Sequence, residues 1–507
     1  MLFNTFAFVF GFLPIALLSY WSLRSTVGIR ASNLALLACS LAFYAYGESR
    51  HLYLILLSIG FNHLVGIRIS RSKDPSGWLL ALGVGGDLLA LGYFKYAAFL
   101  HDNLRLLGVS VPLPAPVELP VGISFFTFTQ IAYLVDCYRR KASDYDLGNY
   151  GLFVTFFPHL VAGPILHHSE MMPQFARHTR VSIGSHLNAG LAMFAIGLFK
   201  KTVIADSIAV TATELFADAA RGHDLTLLPA WIGALAYTAQ IYFDFSGYSD
   251  MAVGLARMFG IDLPINFNSP YKAVSIADFW RRWHITLSRF LRDYLYIPLG
   301  GNRHGRLRQY LNLFITMVLG GFWHGASWNF VLWGALHGTY LAIERWVMEL
   351  RGQPDVASSR VSLVGRALTF VLVVFAWVPF RAPDFAATWH LWKGMIGLNG
   401  FELPLAWPLM PAIAHALGLP TGNIDIHPVV IMSILGALVV AMVFPNSQQI
   451  MARFTVGLDS PGYAAVPGSP SRWAARQSLP WAILLGLVMG IAVVFIGGYS
   501  EFIYFQF

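Results

Sequence analysis

The sequence predicts an all-α polytopic membrane protein, and both composition and patterning support that fold class. Of its 507 residues, 56% are hydrophobic and 12% are charged, and the mean hydropathy is +0.58. Ordinary globular domains carry roughly 25% charged residues. Apolar runs of roughly 17–25 residues, the length that crosses a bilayer as a helix, recur along the whole chain. We therefore expect a single integral membrane domain over residues 1–507, with about nine to twelve spans.

The predicted spans are apolar runs bounded by polar or basic residues. They cover approximately residues 2–22, 32–47, 51–67, 78–94, 119–138, 185–200, 228–245, 309–323, 327–347, 363–380, 428–444 and 479–498. Basic residues follow the first, third and fifth spans: Arg24 and Arg30, then Arg68, Arg71 and Lys73, then Arg139, Arg140 and Lys141. Because Lys and Arg concentrate in cytoplasmic loops, this alternation places the N-terminus outside and these loops in the cytoplasm.

Charge and motif content exclude several classes of function. The net charge is +8, but the basic residues are interspersed among apolar runs and form no basic soluble domain of the kind that binds nucleic acid. The absence of G-x-S-x-G, P-loop and G-x-G-x-x-G motifs excludes soluble hydrolases, NTPases and dinucleotide-binding proteins. No Cys, His, Asp and Glu residues occur at metal-ligand spacing, so we expect no metal and no tightly bound cofactor.

Three segments are not expected to cross the membrane. Residues 151–164 are too short to span and contain Pro158 and Pro164, which predicts a re-entrant element buried in protein. Residues 446–478 are rich in Gly, Pro and Ser and predict a flexible cytoplasmic loop without chemistry. Residues 276–295 predict one amphipathic helix at the membrane interface, because each arginine would cost about 2.5–3.5 kcal/mol inside the bilayer.

His324 is the main candidate for catalysis. It lies in the segment GGFWHG (320–325), and from Leu313 to Leu336 it is the only side chain that titrates near neutral pH. Ionisable groups at membrane depth are costly and mark functional sites. A neutral imidazole can act as a general base, the adjacent glycines permit close approach, and Trp323 can line a tunnel. The alternative is a structural histidine.

His284 is the second candidate, in a basic and aromatic run that starts at Trp280. Helical periodicity places it between the apolar and basic arcs of the predicted helix. We expect Trp280, Arg281, Arg282 and Ser288 to bind an anionic substrate group, since guanidinium geometry suits phosphates. Anchoring to anionic lipid headgroups is the alternative for the arginines.

Asp244 and Tyr248 complete the predicted substrate site. They are i,i+4 neighbours on one helix face, at the end of an apolar run. Asp244 is expected either to orient a histidine or to cap another helix, and these two roles stay open.

Several motifs together resemble the membrane-bound O-acyltransferase (MBOAT) superfamily, within the bacterial branch that acetylates exported polysaccharides and includes alginate O-acetyltransferase membrane subunits. The motifs are PVGISFFTF (120–128), FPHLVAGP (157–164), YFDFSGYSD (242–250), FWRRWH (279–284), LRDYLYIPLGGNR (291–303), WHG (323–325) and FIYFQF (502–507). The resemblance covers most of residues 1–380 and the last span. Residues 383–427 vary in this branch, which leaves the identity of any partner open.

The resemblance implies an MBOAT-type multi-span helical funnel with re-entrant and interfacial helices, and a catalytic core at about residues 119–347. His324 matches the family's catalytic histidine, and His284 matches its second, supporting polar residue. The implied reaction moves acetyl from a cytoplasmic donor, acetyl-CoA, across the bacterial inner membrane to an exported polysaccharide, with alginate as the leading acceptor. Periplasmic or membrane-anchored acetyltransferases are the implied partners.

Other functions remain open at this point. Cellulose, peptidoglycan or another exopolysaccharide could replace alginate as the acceptor. A non-enzymatic transport or scaffold subunit is the alternative from another class, although a transporter should show repeated halves with paired discontinuous helices.

Overall fold

The chain is built almost entirely of helices. The computed structural model describes residues 1–498 except 75, 110–117, 143–145, 177–181, 353–362, 405, 406, 408, 423–425, 455 and 459–472, so the FIYFQF motif (502–507) lies outside the described residues. The α-helices are α1 (Leu13–Thr26), α2 (Ile29–Glu48), α3 (Leu52–Arg71), α4 (Gly77–Leu91), α5 (Ala97–Leu106), α6 (Ile123–Tyr138), α7 (Leu147–Thr155), α8 (Phe157–Leu160), α9 (His168–Phe175), α10 (Ile183–Phe199), α11 (Asp206–Ala220), α12 (Leu227–Met258), α13 (Ile276–Trp280), α14 (Ile285–Leu291), α15 (Arg306–His324), α16 (Trp328–Leu350), α17 (Leu363–Arg381), α18 (Phe385–Met395), α19 (Met410–Leu417), α20 (Pro428–Val443), α21 (Ser447–Ile450) and α22 (Leu479–Val494). The prediction of an all-α fold is confirmed.

Short π-helical, 3-10 and strand segments complete the described secondary structure. The π-helical segments are Ala7–Phe12, Gly92–Tyr96, Lys200–Ala205 and Arg292–Tyr296, and the 3-10 segments are Pro270–Lys272 and Phe495–Gly497. Strand β1 (Leu403–Pro404) pairs in parallel with β2 (Thr421–Gly422).

Six helical stretches within the described residues are long and apolar enough to cross a membrane. They are Ala7–Thr26, Ile29–Glu48, Leu52–Arg71, Gly77–Leu106, Leu363–Arg381 and Leu479–Gly497. The chain is therefore a multi-pass membrane protein. The predicted run 78–94 is only part of a longer helix, because Gly92–Tyr96 continues α4 into α5 and brings Lys95 inside the span.

Helix α12 is the buried centre of the fold and packs closely along α10. A Cβ on Gly190 of α10 would lie 2.6 Å from the carbonyl oxygen of Gly254 on α12. One on Gly197 would lie 2.6 Å from the carbonyl oxygen of Gly247. Small residues at both crossing points let the two backbones approach, as is typical of helix pairs in membranes.

The predicted amphipathic helix over residues 276–295 is wrong as one continuous element. It is divided into α13 and α14, and His284 between them has a left-handed backbone with φ of +42° and ψ of +54°. The interruption pairs with an upstream loop: Asn268 N–H donates to Arg282 O, and Ile285 N–H donates to Asn266 O, each at 2.9 Å. Because these hydrogen bonds join two separate segments of the chain, they interrupt the single helix that the periodicity predicts.

The two predicted non-helical segments also differ in detail from expectation. Residues 151–164 include the end of α7 and all of α8, and they are buried in protein, as a non-spanning element requires. Within the predicted loop 446–478, Asn446 caps α21, and Ser447 and Gln448 are buried against Asp250. Residues 455 and 459–472 of this predicted loop lie outside the described residues. The buried start of this segment therefore belongs to the core.

Candidate active site

His324 is the last residue of α15, where the helix ends at Gly325. Its side chain is buried and contacts three aromatic rings, with centroid distances of 4.9 Å to Trp323, 5.3 Å to Trp333 and 5.1 Å to Phe380. These rings surround the imidazole with apolar surface. Its local environment is therefore dry and weakly polar.

The glycines next to this histidine allow α16 to approach α15. A Cβ on Gly321 would collide with the carbonyl oxygen of Phe330, and a Cβ on Gly325 would collide with the Phe330 ring. A Cβ on Gly334 of α16 would likewise collide with the carbonyl oxygen of Met317. The close approach predicted from the glycines therefore occurs between two helices of the protein itself.

Lys95 and Tyr96 bind the C-terminal end of α15. Lys95 Nζ donates to the carbonyl oxygens of Trp323 at 2.7 Å and His324 at 2.9 Å. The Tyr96 hydroxyl donates to the carbonyl oxygen of Phe322 at 2.9 Å. The last carbonyls of a helix lack intrahelical partners and favour a cation. Lys95 therefore fixes the position of the catalytic candidate from a distant span.

His284 is fully buried in the interruption between α13 and α14. Its Nδ1 lies 3.1 Å from Asn266 Oδ1, which also accepts hydrogen bonds from the backbone N–H and the hydroxyl of Thr286. Because the Thr286 N–H can only donate, Asn266 Oδ1 is an acceptor and His284 Nδ1 carries the ring proton. The lone pair of neutral His284 is then on Nε2.

The two predicted histidines lie at one group of buried aromatic rings. Trp283, next to His284 in the chain, contacts Trp377 at a centroid distance of 4.9 Å, and Trp377 contacts Phe380 at 5.3 Å. Phe380 in turn contacts His324 at 5.1 Å. His337 is separated from His324 by the Trp333 ring, whose centroid lies 5.3 Å from His324 and 4.9 Å from His337. Trp280, predicted to bind substrate, instead donates from Nε1 to His337 Nδ1 at 3.3 Å.

The predicted anion-binding residues lie at a partly exposed surface. Arg282 Nε pairs with Asp278 at 3.0 Å, and Arg281 lies 3.8 Å from the same carboxylate. The Ser288 hydroxyl donates to the carbonyl oxygen of Trp283 at 3.4 Å. Two guanidinium groups thus share one carboxylate, which leaves a net positive charge at this surface.

Asp244 and Tyr248 make contacts separate from those of the two histidines. Asp244 forms a buried ion pair at 2.7 Å with Lys201, which also pairs with Asp206 at 2.7 Å. Tyr248 stacks on the ring of Phe3 at a centroid distance of 4.8 Å. The ion-pair partner of Asp244 is thus a lysine, and its two predicted roles stay predictions.

A continuous row of aromatic rings leads away from His324. Trp323 stacks on Phe128 at 4.9 Å, Phe128 stacks on Phe290 at 4.1 Å, and Phe290 contacts Tyr294 at 5.0 Å. We call Trp323, Phe128, Phe290 and Tyr294 the aromatic row. Trp323, the residue predicted to line a tunnel, thus belongs to a wall of aromatic rings to which α6, α14 and α15 contribute.

The aromatic row ends in a polar cluster that the sequence did not predict. The Tyr294 hydroxyl donates to Asp136 Oδ2 at 2.8 Å and lies 3.2 Å from His167 Nδ1, and His168 Nδ1 lies 3.2 Å from the same carboxylate. The Arg139 guanidinium lies 5.7 Å from the Tyr294 ring centroid. The adjacent histidines His167 and His168 were a sequence signal for this cluster, but no metal was expected there. Within the described residues, no three His, Cys, Asp or Glu side chains are arranged to hold a metal ion.

The family of the chain follows from comparison with known proteins. Residues 99–378, more than half of the chain, match MBOAT, the membrane-bound O-acyltransferase family. The chain belongs to the MBOAT family. The match covers the predicted site residues Trp280, His284, Trp323 and His324, and the resemblance inferred from the motifs is confirmed.

Three curated relatives of this MBOAT protein share about two fifths of its residues. The peptidoglycan O-acetyltransferase of Helicobacter pylori is 39% identical, with 100% of this chain and 98% of the relative aligned. The probable alginate O-acetylase AlgI of Pseudomonas aeruginosa is 43% identical over 80% of this chain and 76% of the relative. That of Pseudomonas putida is 40% identical over 100% of both chains. This MBOAT protein is accordingly an O-acyltransferase.

Proposed function

We propose that this MBOAT protein transfers acetyl from acetyl-CoA, bound on the cytoplasmic side, across the bacterial inner membrane for O-acetylation of an exported polysaccharide. Alginate is the first acceptor to test, because the relatives at 43% and 40% identity are named as probable alginate O-acetylases. Peptidoglycan is the second, because a relative at 39% identity over the full chain is named for it. Periplasmic or membrane-anchored acetyltransferases are proposed to complete the transfer.

The burial of both His324 and His284 at one group of aromatic rings carries this proposal. In the proposed step, His324 takes the proton of the acceptor hydroxyl while that oxygen attacks the acetyl carbonyl carbon. The thioester C–S bond then breaks, and the leaving thiolate receives the proton from His324. General-base assistance of this kind contributes about 10²–10⁴-fold. The aromatic rings around His324 favour it because they keep water, a competing acceptor, away from the acetyl group.

His284 is proposed to support this step from the neighbouring loop. Its ring is oriented by Asn266, which in turn is held by Thr286. A fixed tautomer presents Nε2 as an acceptor for a hydroxyl or for the imidazolium formed on His324.

The donor is proposed to approach along the aromatic row from the polar cluster. The basic loop at Arg139, Arg140 and Lys141 is exposed beside Tyr294, and the positive-inside pattern predicts that it is cytoplasmic. Guanidinium groups suit the phosphates of coenzyme A. The apolar wall from Tyr294 to Trp323 suits the uncharged arm that carries the thioester.

The test uses membranes that contain the full-length protein and acetyl-CoA labelled in the acetyl group. Wild type should label a polysaccharide or a partner protein, and His324→Ala should lower the initial rate by about 10²-fold or more. His223→Ala is the matched control, because that side chain is 64% exposed and pairs only at the surface with Asp218. Equal labelling by wild type and His324→Ala, at equal protein level, would contradict the proposal.

Two acceptor preparations, added separately, distinguish the two polysaccharides. De-acetylated alginate should accept label if the first acceptor is correct, and de-acetylated peptidoglycan should accept it if the second is correct. Label in neither preparation, despite turnover that depends on His324, would reject both acceptors and retain only the acyltransferase step.

A further inference from the structure

A groove of about 870 Å³ runs between α10 and α22, separate from the histidine site. One wall comes from α10, between Gly184 and Ala195, and the other from α22, between Leu479 and Met489. Its lining residues are Ser182, Gly184, Ser185, Asn188, Leu191, Ala192, Ala195, Phe454, Arg476, Gln477, Ser478, Leu479, Trp481, Ala482, Leu485, Gly486 and Met489. This volume is typical of a small-molecule site.

One end of the groove is polar and carries positive charge. Ser185 and Asn188 line it on α10, and Arg476, Gln477 and Ser478 line it just before α22. Among the described residues, the lining includes Arg476 and no acidic residue. Both helices begin at this end, so their positive dipole ends add to the charge of the guanidinium. This end therefore favours an anion such as a phosphate.

The rest of the groove is apolar and unfilled. Leu191, Ala192, Leu485 and Met489 line it. A Cβ on Gly486 would meet nothing within 4 Å, so the glycine faces open space. From Leu479 to Met489 the helix rises about 15 Å, which accommodates much of an acyl chain.

The position of α22 determines which ligand can reach the groove. Leu479–Gly497 is the most apolar of the candidate spans, with a mean hydropathy of 2.6, and only 6% of it is buried in protein. The polar end of the groove lies where this span begins, at the level of lipid headgroups. A ligand that joins a phosphate to an acyl chain matches both ends and is supplied by the surrounding bilayer.

We infer that this groove binds one anionic phospholipid, with its phosphate at Arg476 and an acyl chain along Gly486. The lipid fills the gap between α22 and the core at the start of the helix. At the other end, the Thr202 hydroxyl donates to the carbonyl oxygen of Ala492 at 3.1 Å and closes the contact directly. The bound lipid thus adds to the protein contacts of α22, whose first half packs through Trp481 and Leu485 against the cluster of Ala192, Met193, Met451 and Ala475.

The test measures retained lipid in the full-length protein after reconstitution in nanodiscs of phosphatidylcholine with a minor fraction of phosphatidylglycerol. Native mass spectrometry of the released protein should show one retained phosphatidylglycerol. Gly486→Leu fills the groove and should lower that occupancy by about tenfold, and Arg476→Gln should lower it by a similar factor. Retention by both variants at the wild-type level would overturn the inference.

Gly490→Leu is the matched control for the steric variant. Gly490 also faces open space, lies one turn further along the same helix and does not line the groove. It should retain the lipid, and equal loss in Gly490→Leu and Gly486→Leu would overturn the site. Inorganic phosphate is the second arm: if phosphate alone displaces phosphatidylglycerol at millimolar concentration, the site binds an anion and not a lipid.

Discussion

Two buried regions of the molecule differ in the neighbours that surround their ionisable side chains. Around His324 the contacts are aromatic, and we call this region the aromatic centre: His324, Trp323, Trp333 and Phe380. Between α10 and α12 the acids and lysines contact each other, and we call this region the charged cluster: Lys200, Lys201, Asp206, Asp244 and Asp250. A buried charge is stable only with a partner, whereas a general base must stay neutral until it takes its proton. The paired side chains of the charged cluster therefore stabilise the fold, whereas His324 in the aromatic centre is the side chain proposed to react.

The largest expected effect is on stability and lies in the charged cluster. Lys201→Met leaves Asp206 and Asp244 buried without their shared ammonium, and breaking a buried ion pair costs about 3–5 kcal/mol. The midpoint of thermal unfolding in detergent should fall strongly, while the turnover of the protein that stays folded is unchanged.

Lys393→Met is the control for that variant. Lys393 pairs with Asp224, whose side chain is 56% exposed, and such surface pairs contribute about 0–1 kcal/mol. Equal falls in the unfolding midpoint for the two variants would remove the distinction between a buried and a surface charge in this protein.

The second-largest expected effect is on turnover and comes from a residue beside the aromatic centre. His284→Ala removes the imidazole proposed to support His324, and we expect kcat to fall by about 10²-fold. His186→Ala, another buried histidine, stacked on Trp21, should leave the turnover of folded protein unchanged. Similar turnover in both variants would contradict the proposed role of His284 in the reaction.

A smaller effect is expected from the residue that positions His324. Lys95→Met removes the donor to two carbonyls at the end of α15, and kcat should fall by about tenfold, with the donor KM unchanged. Lys95→Arg keeps a cation and should recover part of the loss. Tyr96→Phe loses one neutral hydrogen bond and should have a weaker effect than Lys95→Met. A loss in Lys95→Met that Lys95→Arg does not reduce would indicate packing alone.

The smallest effect is expected at the basic loop beside the aromatic row. Arg139→Gln removes one exposed charge, which is worth about 1 kcal/mol, so the KM for acetyl-CoA should rise by about fivefold, with kcat unchanged. Arg50→Gln is the control, because Arg50 pairs with exposed Glu118 on another loop. An unchanged KM in Arg139→Gln would place the donor elsewhere.

The fold class could be predicted from the sequence because its signal is local, and the signals that made the two histidines candidates are local as well. Long apolar runs predict spans without knowledge of packing, and an ionisable group inside such a run is unusual wherever the run lies. His324 and His284 are 40 positions apart in the chain, so helical periodicity cannot predict whether they lie together. Only the family motifs predicted that the two histidines act in one site.

The environment of His284 could not be predicted because it depends on tertiary pairing. The apolar and basic arcs over residues 276–295 fit a single helix well. The pairing with Asn266 and Asn268 interrupts that helix, and only the folded chain brings these loops together. The buried start of residues 446–478 was missed for the same reason, since its polar residues bond to Asp250 on α12.

Lys95 and the partner of Asp244 illustrate a second limit. The predicted run 78–94 ended one residue before Lys95, so Lys95 was placed outside the helical span Gly77–Leu106 that it belongs to. Asp244 and Lys201 lie on different helices, and their pairing depends on the close glycine contacts between α10 and α12. In the folded chain Lys95 binds the end of α15, and Asp244 forms an ion pair with Lys201.

The left-handed backbone at position 284 restricts which amino acids can replace the histidine. Apart from glycine, the residues that adopt this conformation most readily are Asn, Asp and His, because their short polar side chains tolerate it. Leu, Val or Ile at this position would strain the loop whatever their effect on chemistry. The backbone thus admits mainly side chains that can form hydrogen bonds, and asparagine is the neutral substitute most compatible with both the loop and the neighbouring His324.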